Sequence, residues 1–578
     1  MQTYLARGYD WESTRLAEFI RRYGYRSLAD LQAGSTQDPS TFWAHVADYL
    51  DLGWASPYRC VLDLTDGPVW PRWFAGGSFD LFDHLVGRWA RLFPHKVALR
   101  WEGDWGETRD ITYAGLLDES SRLAEGLTRL GVRRGERVAM YLPMLPEASV
   151  LLLACARIGA IVSPLFSGFG ADALAARVRD CEAKLLVCAD GYYRRGKPVD
   201  MLSEARRAVQ ASDSVQHLVV VQRLLEEHAP VKHAGPVRRW TESDYDGLVK
   251  ARTTGSQSAA CEPDTPLAVI YTSGTSGQPK GVVHTHAGFP IKAASDLVAF
   301  DFGRDDTLMW VTDMGWLMGP WMVFGALLHG ATCVLCEGTV DFPAPDRLWK
   351  IAERYQVTHL GLSPTLVRLL MAAGDQWLQP GTLCSLRVFG STGELWSETP
   401  WQWLFERVGQ SRRPIVNYTG GTEIGGGILA SFPGLPQKPG SFTGPIPGMP
   451  ADVLRLDGQP ARTEVGELAL HGPWPGMTQR FWCDPGRYEE TYWRRWPQIW
   501  AHGDCAYRDN EGFWFLQGRS DDIIKVGGKR IGSGDYESAL MSHPVVSEAV
   551  AVGVPDDVKG EAQVCFCRKP LTGRSFAG

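Results

Sequence analysis

Between residues 116 and 189 the apolar positions switch repeatedly between two spacings. Helical spacing over 116–130 gives way to the apolar run Val138 to Leu142, 146–159 gives way to 160–166, and 171–182 to 185–189. Helices alternating with short apolar runs predict right-handed βαβ crossovers and parallel sheets, an α/β fold. A further helix and strand pass runs through 344–370 and 386–391. The run Leu267 to Tyr271 predicts a strand that feeds a polar loop, and Val282 and Val283 return the chain to apolar character. A polar stretch at 252–265 precedes that strand. Upstream, helical spacing appears at 11–23 and 40–51, followed by a Pro/Gly/Trp region from Gly67 to Gly77. Near 519–522 a polar, turn-like stretch leads into the short strand Ile523 to Val526. No internal repeat is evident.

The most apolar window, Leu317 to Cys336, approaches the length of a membrane span. Gly319, Pro320, Gly325, His329 and Gly330 interrupt it, so a buried helix and strand is predicted there and not a span. At 578 residues the chain is too long for one ordinary core, and two or more domains are expected. With 44% apolar and 22% charged residues it reads as globular. The net charge of −7 speaks against a general nucleic-acid binder, while leaving room for a local basic pocket. The 12 cysteines are scattered. No secretory segment is read at Met1 to Thr14, where Arg7, Asp10 and Glu12 break any apolar core, so reduced thiols in the cytoplasm are expected. Cys333 and Cys336 have a metal-like spacing but no second pair, and core thiols are the expectation; Cys565 and Cys567 also lack partners. The 23 tryptophans are spread along the chain and imply no activity.

The chemistry concentrates at residues 271–281. Thr272, Ser273, Thr275 and Ser276 carry hydroxyls, Lys280 carries a cation, and Gly274, Gly277 and Gly281 let the main chain turn tightly and approach a ligand. Such a loop can wrap a polyphosphate with amide donors, hydroxyls and one positive charge. It is not a Walker A loop, because Gly281 and not Ser or Thr follows Lys280. A Ser/Gly linker is the alternative for this composition, but a strand entering and apolar residues leaving do not suit a linker.

This segment resembles the signature loop of the AMP-forming adenylating enzymes: acyl-CoA synthetases, adenylation domains of peptide synthetases, and luciferases. The resemblance runs from about residue 65 to 565 and is greatest to acetyl-CoA synthetase and its relatives. It implies an N-terminal leader (1–75), a large AMP-binding domain of parallel-rich sheets flanked by helices (76–520), a hinge at Asp521, and a small α+β lid (521–578). It implies ATP, CoA and Mg2+ as cofactors and a small carboxylic acid as substrate, with no nucleic acid and no membrane span. The oligomeric state stays open, with a monomer favoured. In the implied reaction a carboxylate attacks the α-phosphate of ATP and a thiol then displaces AMP, steps that need positioning and charge stabilisation more than a protein nucleophile.

Residue by residue, the resemblance implies the following roles. Gly393 and Glu394, in Phe389 to Glu394, would pack against adenine, although Leu395 stands where the family usually has Pro. In Asn417 to Glu423, Thr422 would contact the α-phosphate and Glu423 would hold magnesium. Asn417 stands where Asp is common and would keep an adenine contact through its amide. Asp504 would accept the ribose hydroxyls, Arg519 would donate to ribose or phosphate, and Arg530 would approach the phosphate from the lid, where Gly527 and Gly528 line the thiol tunnel. Gly168, Arg194 and Lys197 would hold the CoA nucleotide; an ordinary basic loop is the other reading. Trp316, Leu317, Met318, Thr392 and Gly420 would line the acyl pocket. Gly420 replaces a tryptophan, so the missing indole is expected to open volume for an acyl group larger than acetate, partly refilled by Leu317 and Met318. His543 resembles a lid position that holds a structural magnesium in some relatives; a plain helix-ending turn after 536–541 is equally open.

One departure stands out. The family carries a Gly-Lys motif late in the lid, whose lysine reaches the reacting groups. Here 57 residues follow Asp521, and Lys569 lacks the matching context. Arg568 to Gly578 read as a premature or frameshifted end. The loss of one such contact costs ~10²–10³ in rate, so slow adenylation is expected. Two other functions stay open: loading of a carrier-protein thiol, against which Arg194 and Lys197 speak, and non-catalytic nucleotide binding, which only the missing lysine favours.

Overall fold

The computed structural model describes residues 2–229, 239–250, 258–272, 279–379, 383–520, 524–526, 529–531, 536–537, 540, 543, 545–546, 548–556 and 560–568. The alternating apolar runs become two large sheets. The first has seven strands in the order 241–244, 217–221, 185–189, 137–141, 161–164, 266–272 and 280–285. It is parallel up to its last pair, where Pro266–Thr272 and Lys280–Thr285 run antiparallel on either side of the hydroxyl-rich loop. The second has nine strands and is parallel from 415–421 through 388–391, 359–362, 307–310 and 332–336 to 97–102, with antiparallel edges.

The crossover helices form where the sequence supplies stops as well as apolar stripes. Pro146–Ile158 begins on a proline at its first turn and ends on Gly159 in the left-handed region at φ 68°. Tyr113–Arg129 is capped by the Thr112 hydroxyl. The apolar window resolves into the buried helix Met318–Leu328 and the strand Thr332–Cys336, which carries the buried Cys333 and the half-buried Cys336. The helix Gly288–Ala299 is buried on every side, the condition of a helix enclosed within a core.

A third, antiparallel sheet (451–454, 466–470, 500–508, 514–519) follows the two large ones. Beyond it, strands at 524–526, 529–531, 548–556 and 560–568 form a small antiparallel sheet. The leader folds into helices Arg15–Arg22, Leu28–Gln37 and Pro39–Tyr49, of which the second has no counterpart in the sequence reading. Phe19, Phe42 and Trp43 of the leader enter the same core as both large sheets. Among the described residues no helix is long and apolar enough to cross a membrane.

Candidate active site

The three sheets meet at a cleft of about 630 Å³. The first sheet contributes Thr272 and Lys280, the second contributes Thr392 to Glu394, Asn417 to Gly421 and Glu423, and the third contributes His502, Asp504, Gly518 and Arg519. Parallel strands 388–391 and 415–421 end here, as ligand crevices at the carboxyl ends of parallel strands do.

Thr272 and Lys280 are cross-strand partners at the mouth of the signature loop. The Thr272 hydroxyl is buried and has no hydrogen-bond partner among the described residues, which marks a place for a polar ligand or for the loop itself. Ser273, Gly274, Thr275, Ser276 and Gly277 lie outside the described residues. Lys280 Nζ stands 5.5 Å from the ring centre of Phe481 and 5.8 Å from that of Tyr492.

Thr422 opens the short 3₁₀ turn Thr422–Ile424. Glu423 Oε1 in the same turn accepts a 2.6 Å hydrogen bond from Tyr492 Oη. Burial and the neighbouring Glu423 charge push the Tyr492 phenol far up, so it remains a donor. Tyr492 is itself fixed by stacking on Trp500, with ring centres 4.0 Å apart.

On the third sheet Asp504 pairs with Arg519 at 3.2 Å and with His502 Nε2 at 3.3 Å. Burial alone would raise the Asp504 carboxyl, but His502 and Arg519 together hold it below the usual carboxylate range. Tyr492 and His502 escaped the sequence reading. His502 was within reach of it, because residues two apart on a strand share a face, and His502 stands two before Asp504. Tyr492 gave no comparable signal.

The residues expected to flank adenine are also in the cleft. Gly393 lies in the left-handed region at φ 94° with open space around it, so its glycine answers to conformation and not to crowding. Glu394 turns to Thr365 Oγ1 (2.6 Å) and Arg368 (3.0 Å). Asn417 Nδ2 donates to the Gly440 and Ser441 carbonyls at 3.1 and 3.2 Å. The expected amide contact with adenine is therefore narrowed to the Asn417 carbonyl oxygen.

Of the residues expected to line the acyl pocket, Thr392 and Gly420 line the cleft, whereas Trp316, Leu317 and Met318 do not. Trp316 is 48% exposed and packs on Phe166, with ring centres 5.3 Å apart, beside Gly168. The expectation of an open space at Gly420 needs correction. A Cβ there would lie 1.9 Å from the Gly426 carbonyl oxygen, so main chain and not a void fills that direction.

Arg194 and Lys197 face each other across the hairpin Gly191–Arg194/Lys197–Asp200. The basic loop is thus an ordered two-residue turn. Asp521 and Gly528 lie outside the described residues, as does the side chain of Arg530, whose backbone sits in Lys529–Ile531. His543 is exposed, and its Nδ1 accepts the Val545 N–H at 3.2 Å, as in a local turn. Among the described residues no three His, Cys, Asp or Glu side chains cluster as a metal site.

Residues 86–482 match the family model described as AMP-binding enzyme, 28–83 that described as acetyl-coenzyme A synthetase N-terminus, and 535–573 that described as AMP-binding enzyme C-terminal domain. The chain is 38% identical over 559 residues to an acetyl-coenzyme A synthetase of Methanothrix thermoacetophila, covering 95% of this chain and 83% of that one. It is 40% identical over 534 residues to one of Streptomyces avermitilis, covering 91% and 80%. The solved acetoacetyl-CoA synthetase from Streptomyces lividans superposes with a TM-score of 0.89 at 28% identity, covering 99% of this chain and 88% of its own.

Proposed function

The chain belongs to the AMP-binding enzyme family, and from that premise we propose that it joins a small to medium carboxylic acid to CoA at the expense of ATP. The acid carboxylate attacks the α-phosphorus of ATP, giving acyl-adenylate and pyrophosphate. The CoA thiol then attacks the acyl carbon and AMP leaves. The observation that carries this reading is the convergence of Lys280, Glu423, Asp504 and Arg519 in one cleft.

Thr272 and Lys280 hold the phosphate chain, with Lys280 offsetting its charge. Asp504 accepts the ribose hydroxyls while His502 and Arg519 keep it ionised. Gly393 and the Asn417 carbonyl flank the purine. Glu423 is the residue that would hold Mg2+, since its carboxylate is the kind of oxygen donor that magnesium takes. Bound there, the ion neutralises phosphate charge. Arg194 and Lys197 take the 3′-phosphate of CoA.

For the acid, we favour an acyl group larger than acetate, because Thr392 and Gly420 line the cleft without a bulky side chain, and not because of a void at Gly420, where main chain fills the Cβ direction. Each added methylene in a matched pocket is worth about 1–3 kcal/mol of discrimination. The enzyme works as a cytoplasmic monomer in this reading; its twelve cysteines form no disulfide with one another, which suits a reducing compartment, and size-exclusion chromatography with light scattering checks the mass.

The test is ATP–pyrophosphate exchange and acyl-CoA formation with acetate, propionate, butyrate, isobutyrate and hexanoate. Acid-dependent exchange followed by thioester formation is expected. If acetate gives the highest kcat/KM, the size assignment is wrong; if no acid supports exchange, the function is. Exchange at an ordinary rate also overturns the expectation of slow adenylation.

A further inference from the structure

Behind the cleft wall lies a buried ion pair that no step above uses. Lys292 and Asp296 sit one turn apart on the enclosed helix Gly288–Ala299, with side chains 1% and 0% exposed. Lys292 Nζ donates to Asp296 Oδ1 and, at 2.8 Å, to the Gly427 carbonyl. Asp296 Oδ2 accepts the Tyr418 hydroxyl at 2.6 Å and the Gly427 N–H at 3.0 Å. One ion pair thus grips both main-chain polar groups of a single glycine.

Stability alone explains this poorly. Two charges taken from water cost several kcal/mol each, and apolar side chains of similar volume serve a core as well or better. A fully satisfied polar network instead fixes one geometry. The geometry here is that of the strand pair Ile415–Gly421 and Gly426–Ala430, where Gly427 faces Gly420 across a register shift. At its glycines, side chains cannot hold this pair together. A Cβ on Gly426 would lie 2.3 Å from Asp296 Oδ2, and one on Gly427 2.1 Å from the Tyr418 ring. Tyr418 and Gly420, on the strand paired with that of Gly427, line the cleft.

We propose that Lys292, Asp296 and Tyr418 form a positioning clamp that sets the depth of the cleft wall at Gly420 and so selects the size of acid accepted. The clamp touches no reacting atom and acts through the main chain. This inference rests on the acid-activating function proposed above.

The test compares wild type with Tyr418→Phe, Asp296→Asn and the uncharged double variant Lys292→Met/Asp296→Asn, which leaves no lone buried charge to unfold the protein. Two readouts are needed: kcat/KM across the acid panel with KM for ATP, and hydrogen exchange of ligand-free protein. The ratio of hexanoate to propionate kcat/KM is expected to move at least ~5-fold through KM for the acid, a size typical of about one methylene of discrimination, with KM for ATP within ~2-fold. Exchange over 415–430 is expected to quicken at least ~10-fold while 137–141 stays as in wild type. An unmoved acid ratio in variants that melt like wild type overturns the clamp, as does a uniform fall in kcat for every acid, which is what a merely structural role predicts. Wild-type turnover separates the two claims: no acyl-CoA from any acid sinks the acid-activating reading and the clamp with it, whereas turnover with an unmoved ratio sinks the clamp alone.

Discussion

Tyr492 serves two charged groups at once, donating to Glu423 through its hydroxyl and offering its ring to Lys280. The two roles can be separated. Tyr492→Phe keeps the ring and frees the carboxylate, and a hydrogen bond to a charged group is worth about 1.5–3 kcal/mol, so kcat/KM for ATP is expected to fall ~10–100-fold. Tyr492→Leu removes the ring as well and is expected to fall ~2–5-fold further, the size of an exposed cation–π contact. Steady-state kinetics over a magnesium titration checks both, since a loosened Glu423 also raises the magnesium requirement. Asp504 carries a pH signature. Its folded-state carboxyl lies below the ordinary range because of His502 and Arg519, against the opposing effect of burial. That contribution is fully present above the ordinary carboxylate value near ~3.9 and is lost as pH falls through the lower folded value. Wild type is therefore expected to be more stable than Asp504→Asn at pH 6, with the gap closing below about pH 4. Urea midpoints across that range measure it, and a gap independent of pH would contradict the ion-pair account.

At the scale of elements, the hairpin Gly191–Arg194/Lys197–Asp200 shows how a short turn aims charge. Arg195 and Gly196 both adopt positive φ, 51° and 72°, the requirement of a type I′ turn. Neighbouring acids then fix the turn: Asp104 accepts the Gly196 N–H at 2.7 Å, Glu337 the Tyr193 N–H at 3.3 Å, and Asp341 pairs with Arg195. Arg195 is consumed in that way, and Arg194 and Lys197 are exposed on facing strands. Replacing both with alanine is expected to raise KM for CoA at least ~10-fold, each lost charge-assisted contact being worth about 1.5 kcal/mol or more, and to move acid-dependent pyrophosphate exchange less than ~2-fold because that half-reaction precedes the thiol. A comparable loss in exchange would mean that the hairpin serves the nucleotide cleft instead. The sequence announced this turn only as a basic loop. By contrast the crossover units were legible, since strands such as Leu185–Ala189 are buried on both faces and read as unbroken apolar runs. The third sheet was not, because strands such as Trp500–Arg508 mix His, Gly, Asp and Arg into an irregular alternation. The leader helix Leu28–Gln37 hid for a related reason, burying only Leu31 and Ser35. Among site residues, Lys280, Glu423 and Asp504 stood in recognisable strings. The consequence of Gly420 did not, because it depends on a carbonyl six residues away that only the folded strand pair brings against it.

Across the whole molecule, the leader is braced against the cleft's own framework. Tyr9 and the Arg15 N–H both bind Asp301, at 2.6 and 2.9 Å. Gln32 donates to the Pro445 carbonyl at 2.7 Å, and Ser35 accepts the Gly448 N–H at 2.8 Å. Phe42 and Trp43 close over Gly448, where a Cβ would lie 2.5 and 2.8 Å from their rings. The segment they brace continues back to Ser441 and Gly440, whose carbonyls hold Asn417 in the cleft. A leader that shares a core with its host unfolds with it, whereas an appended module melts first and leaves activity behind. Trp43→Ala distinguishes the two. Removing a buried indole costs about 3–5 kcal/mol, which in a protein of this size unfolding as one unit is expected to lower the melting midpoint by roughly 2–4 °C. Because the core is common, the drop is expected in the whole transition at once: near-ultraviolet dichroism, far-ultraviolet dichroism and loss of pyrophosphate exchange should coincide in the variant as in wild type. KM for ATP in the fraction still folded should stay near the wild-type value, since Trp43 does not line the cleft. Exchange activity that outlasts the tertiary signal on heating would show the leader to be separable, and the bracing of the 440–448 segment to be dispensable.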